Sequence, residues 1–243
     1  MHSFFQTITV LFFVLLSGCS THRTLTDAAL QNGPKLSLHN ENCSWWTSRF
    51  LLSEPGSIPH WELDPLIADQ VLHPLLENFE ENIPYWRIHR RAAQDATGHQ
   101  LSFHFYTTPE TAQKLTEEIN GSPLLASLWE AKLLRKVIHD DPKAPSSSNF
   151  SATSAPHWSP TLQLAWPAFM MGASMTWLSL VHQRAQEREV SPSSNLETLQ
   201  QLYQEVERKV ALSWSREGQH AFFHHLSALF GYHPMVLKKE IVF

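Results

Sequence analysis

Glycine and reactive-site motifs are scarce in this chain. Only eight of its 243 residues are glycine, which leaves little room for a glycine-rich loop that cradles a phosphate. The patterns Gly-x-Ser-x-Gly and Ser-x-x-Lys, which hold a nucleophilic serine in several hydrolases, do not occur. No sequence motif therefore indicates enzymatic activity, and no cofactor is expected.

An excess of positive charge is also missing. The formal net charge is −5 at pH 7, whereas nucleic-acid-binding domains carry a basic patch or stripe. We therefore expect no nucleic-acid partner. A hydrophobic content of 42% is enough to form a folded core rather than a disordered chain.

Charged residues are absent from one long internal stretch. No Asp, Glu, Lys or Arg occurs from Ala144 to Gln183. Within it, Leu164–Val181 has the length of a membrane span, but a proline and several small or hydroxyl residues dilute its hydrophobicity. We expect a helix that is buried on all sides of the domain. Ala168, Gly172 and Thr176, spaced four apart, predict close packing against another helix.

The N-terminus carries an apolar segment from Phe4 to Leu16 that is too short to span a bilayer. It ends in Leu16-Ser17-Gly18-Cys19, and this tetrapeptide resembles the lipobox of bacterial lipoproteins. The resemblance implies cleavage before Cys19, a thioether-linked lipid on its sulfur and acylation of the new amine. It therefore implies a membrane anchor.

The resemblance implies a signal peptide over residues 1–18. Residues 20–42 are polar and lack periodicity, so 19–42 is the expected lipidated tether. The first dense apolar cluster begins near Cys43, and 43–243 is the expected single globular domain. Ser20 follows the cysteine, whereas an Asp there resembles an inner-membrane retention signal. We therefore expect an outer-membrane location, with the domain on the periplasmic face. Two or more acyl chains, at about 0.8 kcal/mol per buried carbon, make such anchoring stable.

Cys43 is the second of the two cysteines. Lipidation of Cys19 would leave it without an intramolecular disulfide partner. It is then either an inert buried thiol or half of an intermolecular bridge.

Hydrophobic periodicity predicts an α+β fold, mainly α, with helices packed on one face of a small antiparallel sheet. A helix is predicted to begin at Asp64-Pro65 and to kink at Pro74. Two strands, Tyr85–Ala92 and Leu101–Thr107, are predicted to form a hairpin. A C-terminal strand from Met235–Leu237 or Ile241–Phe243 would complete the sheet.

Capping residues predict the remaining helices. Thr108 and Ser122 would cap two helices separated by Gly121, and the second is predicted to continue through Val137 and Ile138 as part of a helical hairpin. Residues 140–160 form a Ser- and Pro-rich loop. Two more helices are predicted after Ser194 or Asn195 and over residues 217–230.

Fifteen histidines raise the question of a metal site. His220 and His224 share a helix face at the spacing of helical metal sites, and His225 and His233 are near. No Glu follows the first His, and no third ligand can be assigned. The apolar neighbours predict instead a core helix with histidines at its edge, so no metal is expected.

Tryptophan offers a second candidate for binding. An aromatic groove for an apolar ligand is one interpretation, and ordinary core packing is the other. The tryptophans in question are Trp45, Trp46, Trp61, Trp86, Trp158 and Trp166.

We therefore expect a lipid-anchored envelope protein that acts by non-covalent binding or scaffolding, with an envelope protein as partner. The alternatives are a metal-dependent hydrolase that uses the C-terminal histidines and a carrier of an apolar ligand. For the part of the chain after the lipobox, the sequence resembles no family.

Overall fold

A computed structural model describes residues 42–54, 56–91, 98–141, 143–187 and 195–232. The signal peptide, Cys19, nearly all of the tether and the predicted C-terminal strand lie outside these residues. The described part is an α+β fold, mainly helical, with one four-stranded antiparallel sheet. The predicted fold class is therefore confirmed.

The sheet has the strand order β2-β3-β1-β4. Its strands are β1 (Ser44–Leu51), β2 (Tyr85–Arg90), β3 (Gln100–Thr107) and β4 (Lys136–His139). The predicted hairpin is confirmed, since β2 and β3 pair antiparallel with Ile88 opposite Phe103. Strand β3 lies between two neighbours, and for this reason nearly all of its residues are buried.

Two strands were not predicted from the sequence. Strand β1 comes from the first apolar cluster of the domain, and β4 contains Val137 and Ile138, which we had predicted to be helical. The prediction of helix there was wrong. The helix before it ends at a left-handed turn, where Lys132 has φ 60° and the amides of Leu133 and Leu134 bond to Leu128 O.

The first helical segment consists of α1 (Leu63–Ile67), a π-helical turn (Ala68–Leu72) and α2 (His73–Asn78). Pro74 has no N–H to donate to the preceding turn. The wide turn directly before it accommodates this loss, so the predicted interruption at Pro74 is confirmed. A 3₁₀ turn (Glu80–Asn82) then leads into β2.

Two short helices, α3 (Pro109–Asn120) and α4 (Pro123–Glu130), follow β3. Their predicted caps are confirmed: Thr108 Oγ1 accepts from the Thr111 amide and Ser122 Oγ from the Leu125 amide. Gly121 is the C-cap of α3. The two helices pack through Leu115, Ile119 and the buried leucines of α4 onto the core.

The Ser- and Pro-rich loop docks onto the sheet face opposite the helices. Phe150, in a 3₁₀ turn (Phe150–Thr153), is 1% exposed. Its ring contacts Trp45, Tyr85 and Tyr106, and its carbonyl accepts from Trp45 Nε1 at 2.8 Å. This contact gives the sheet a second, smaller apolar layer.

The C-terminal half contains α5 (Pro160–Gln186), α6 (Leu196–Ser213), a π-helical turn (Trp214–Gly218) and α7 (Gln219–Leu229). Asn195 is the cap of α6, because its Oδ1 accepts from the Thr198 amide at 2.9 Å. The predicted seam of α6 is buried at Tyr203, Val206 and Val210. Helices α5 and α6 and the first helical segment cover the core face of the sheet.

Candidate functional site

Helix α5 is fixed to the body along one side. Ser174 is buried, and its Oγ accepts from the Ile88 amide of edge strand β2 at 3.0 Å. Further along, His182 Nδ1 lies 2.7 Å from Asp69 Oδ1, and Arg184 donates to Ser213 Oγ. The Ser174 contact gives one amide of the edge strand a partner, and together the three contacts hold one face of α5 against the domain.

The N-terminal end of α5 is fixed by the preceding loop. Ser159 caps the helix, and Trp166 Nε1 donates to Thr153 O at 3.0 Å. The ring of Trp166 contacts Trp158 edge-on at 4.9 Å. The end of the Ser- and Pro-rich loop and the start of α5 therefore pack against each other.

The outer side of α5 is exposed, and the prediction of a helix buried on all sides was wrong. Pro160–Gln186 is long and apolar enough to cross a membrane by length and composition, yet only 22% of its apolar window is buried. The helix lies at the edge of the sheet, so the domain covers only its inner side. We name the exposed residues the apolar α5 face: Leu162, Leu164, Ala165, Ala168, Phe169, Gly172, Ala173, Met175, Thr176 and Ser179.

The small residues lie on this exposed face and not in the core. Ala168, Gly172 and Thr176 are all exposed, and a Cβ added at Gly172 would meet no atom within 4 Å. Phe169 and Met175 flank them and are 48% and 47% exposed. The result is a shallow strip of small side chains between large apolar ones, without a formal charge.

Helix α7 is a second apolar surface, and here too the prediction of a core helix was wrong. None of its residues is buried, and Phe223 and Leu229 are 46% and 67% exposed. His220, His224 and His225 are exposed on the same helix. The ring centroids of His220 and His224 are 5.8 Å apart. Among the described residues no third ligand joins this pair. His233 lies outside the described residues.

A polar cluster that the sequence did not predict lies where the first helical segment meets α5 and α6. Asp69, His73 and His182 each offer one ligand atom, and these atoms lie within 4.8 Å of one another. No other such set of three occurs in the described part of the chain. We name these three residues the Asp69 cluster.

The Asp69 carboxylate is held by donors from two elements. Tyr203 donates its hydroxyl to Asp69 Oδ2, and Gln70 Nε2 donates to the same oxygen at 3.0 Å. Burial, together with the nearby carboxylate, raises the pKa of Tyr203. The phenol is therefore a permanent donor that orients this carboxylate.

A cavity of about 390 Å³ adjoins the cluster between α2 and α5. His73, Glu77 and Ser179 give it a polar end, and Met171 and Met175 line it from α5. Of the tryptophans considered as a groove, Trp86 alone lines this cavity. Trp45 and Trp46 are buried, which favours ordinary packing over a common aromatic groove for these two residues.

Cys43 is buried, and burial raises the pKa of its thiol. A protonated, inaccessible thiol is a poor nucleophile. This environment fits the inert thiol better than the intermolecular bridge.

Comparison of the chain with protein-family models, curated proteins and solved structures found no match. The fold defines the chain as an α+β, mainly helical protein. Its most distinctive surface is the apolar α5 face.

Proposed function

We propose that the protein is a lipid-anchored component of the bacterial envelope that binds an apolar helix of another envelope protein through the apolar α5 face. The observation that carries this proposal is the exposure of a long uncharged helix along a side that the domain leaves open. Contiguous apolar surfaces of this kind mark interaction sites in soluble domains.

The composition of the face favours a helix as the occupant. Small side chains at Ala168, Gly172 and Thr176 let a second backbone approach closely, and the flanking Phe169 and Met175 can pack on either side of it. The face has no Asp, Glu, Lys or Arg. A charged or strongly polar partner would lose hydration there without gaining a counter-charge.

A lipid surface is a poorer fit. Helices that lie in a membrane interface carry Lys and Arg beside their apolar face, which attract lipid headgroups, and residues 144–183 have neither. Insertion of α5 as a span would break the Ser174 contact with β2 and the His182 contact with Asp69. Loss of these two contacts would leave buried polar groups unpaired.

The resemblance of Leu16–Cys19 to a lipobox supports the anchor, and Ser20 supports the outer membrane, with the domain in the periplasm. The α5 face would then work within reach of membrane-associated partners.

The anchor is tested by labelling with radioactive palmitate in a Gram-negative host. The full chain is expected to take up label and to fractionate with membranes, and Cys19→Ser is expected to lose both properties. Membrane fractionation of Cys19→Ser without label would overturn the proposed anchor.

The binding face is tested by photo-crosslinking in intact cells. A crosslinking amino acid in place of Phe169 or Met175 is expected to give one discrete product with another protein, and the same substitution at exposed Gln201 of α6 is expected to give none. Gly172→Leu should abolish the product because the side chain projects into the strip, whereas Gly172→Ala should retain it.

Both glycine variants should fold, since no atom lies within 4 Å of the new Cβ and either residue favours helix more than glycine does. Equal crosslinking from Gln201, or a product that survives Gly172→Leu, would contradict binding at this face. A product of twice the chain mass would identify a second copy as the occupant, and crosslinks to lipid alone would identify the membrane. Either result would overturn the proposed partner.

A further inference from the structure

The Asp69 cluster joins residues from three elements at one point. Asp69 belongs to the π-helical turn, His73 to α2 and His182 to α5. Their ligand atoms lie within 4.8 Å of one another. Two imidazoles and one carboxylate are the donor set of many three-ligand zinc sites.

From this geometry we propose that Asp69, His73 and His182 bind one divalent transition-metal ion of the zinc class. Imidazole nitrogen suits Zn²⁺, Co²⁺, Ni²⁺ and Cu²⁺. Ca²⁺ and Mg²⁺ take six or more oxygen ligands, and the cluster offers too few. The proposal does not depend on what occupies the apolar α5 face.

The spacing of the donors requires little adjustment. His182 Nδ1 and Asp69 Oδ1 are 2.7 Å apart, within hydrogen-bond distance. Ligand atoms on a tetrahedral zinc ion are about 3.3 Å apart, given bonds of about 2.0–2.1 Å. The ion fits between the two atoms when the side chains separate by about half an ångström.

His73 is the third ligand of the proposed site, and it lies on the side of the cluster that faces the cavity. Its ring stacks on His182 with a centroid distance of 4.2 Å and an interplanar angle of 15°. The nitrogen lone pairs of two stacked rings lie in parallel planes, so His73 turns about its side-chain bonds to aim a nitrogen at the same ion as His182. Its side chain is 24% exposed, which leaves space for this rotation. Glu77 Oε2, 3.7 Å from His73 Nδ1, is placed to orient the imidazole.

The surroundings of Asp69 resemble the support that metal-binding carboxylates receive. Tyr203 and Gln70 both donate to Oδ2, which leaves Oδ1 directed at His182. Such supporting hydrogen bonds commonly change metal affinity by about 10–100-fold. The side chain of Asp69 is 2% exposed, so the carboxylate has a fixed position.

The cluster also adjoins open space. His73 and Glu77 line the cavity of about 390 Å³ between α2 and α5. Three protein ligands leave a fourth position of the tetrahedron for water or a small anionic ligand, as in open zinc sites. Met171 and Met175 also line this cavity.

The test is calorimetric titration of the full chain in detergent with Zn²⁺, using an affinity tag that contains no histidine. We expect one ion per chain with a Kd of about 1 μM or tighter. His73→Gln and His182→Gln should each weaken binding at least about 10-fold, and Tyr203→Phe should weaken it to a smaller extent. Titration with Co²⁺ should give the intense visible absorption of a tetrahedral site.

The double variant His220→Gln/His224→Gln is the matched control, because it removes an exposed histidine pair of the usual helical spacing. It should bind as the unsubstituted protein does. Folding of each variant is checked by circular dichroism, and His73→Gln should pass this check since the residue is partly exposed. No binding at about 100 μM Zn²⁺, or loss of binding in the control and not in His73→Gln, would show that the cluster is only a hydrogen-bond network.

Discussion

At the scale of single residues, His104 shows how a titratable side chain can be kept neutral inside a sheet. Its Nδ1 pairs with Thr47 Oγ1 at 3.1 Å. Burial lowers the pKa of His104 to about 3, and the positive charges of Arg87, His89, Arg49 and Arg91 add to the effect. The folded protein therefore excludes a proton that the unfolded chain accepts near pH 6.5.

This difference predicts that His104 contributes to acid sensitivity. Between about pH 6.5 and 3 the unfolded state binds more protons at this residue, so stability is complete above pH 6.5 and falls on acidification. The loss is at most about 1.4 kcal/mol per pH unit. His104→Asn, which keeps an acceptor for Thr47, should show a smaller fall in its urea midpoint between pH 7 and pH 4.5. The same fall in both proteins would contradict this assignment.

Asp64 is a second buried residue whose role is set by partners that are distant in sequence. The sequence predicts a helix that begins at Asp64-Pro65, but the helix begins at Leu63 after Glu62, and Asp64 lies inside α1. Its carboxylate is fully buried and pairs with Arg90 and His99. An Asp before Pro is typical of a helix start. The folded chain shows that the carboxylate of Asp64 binds Arg90 and His99 and does not cap the helix.

At the scale of elements, features set by a few neighbouring residues could be predicted. The caps Thr108, Ser122 and Asn195 act within three residues of themselves. The alternation of apolar and polar residues in β3 is visible in the sequence itself, and its partner β2 is the preceding strand along the chain. These are the parts of the fold for which local sequence determines local structure.

Features set by distant partners could not be predicted. Strand β4 has the apolar residues of a helix, and it becomes a strand because β1, far away in sequence, offers an open edge. Helix α5 is apolar around most of its circumference, so its sequence does not indicate which side faces the domain. The Asp69 cluster was missed for the same reason: His182 comes from a separate helix, and Asp69 with His73, four residues apart in the first helical segment, was only a weak local signal.

The attachment of α5 to β2 depends on one buried hydroxyl. Ser174 Oγ accepts from the Ile88 amide on the outer edge of the sheet. Ser174→Ala should leave this amide unsatisfied, destabilise the fold by about 1–3 kcal/mol and speed hydrogen exchange at Ile88. Thr176→Ala is the control, since its exposed hydroxyl bonds only to Gly172 O of its own helix. Equal exchange at Ile88 in both variants would show that packing alone holds the helix.

At the scale of the whole molecule, one buried ionic cluster connects the helical layers to the sheet. Arg90 of β2 donates to Asp64 of α1 at 2.7 Å and to Glu207 of α6 at 2.9 Å. The rings of Trp61 and Trp177 lie 5.3 and 5.4 Å from its guanidinium carbon. Three elements, β2, α1 and α6, therefore depend on the charge balance around one arginine.

Removing one member of this cluster should destabilise the whole fold. In Asp64→Asn the guanidinium of Arg90 loses its closest counter-charge and keeps that of Glu207, and the expected cost is about 1–3 kcal/mol. The matched control is Glu110→Gln, which removes a carboxylate from the exposed pair with Lys114 and should leave the urea midpoint unchanged. Because the cluster joins α1, α6 and the sheet, fluorescence and far-UV circular dichroism should report one shared transition that moves to lower urea. Separate transitions by the two probes, or a midpoint like that of Glu110→Gln, would show that the cluster does not couple these elements.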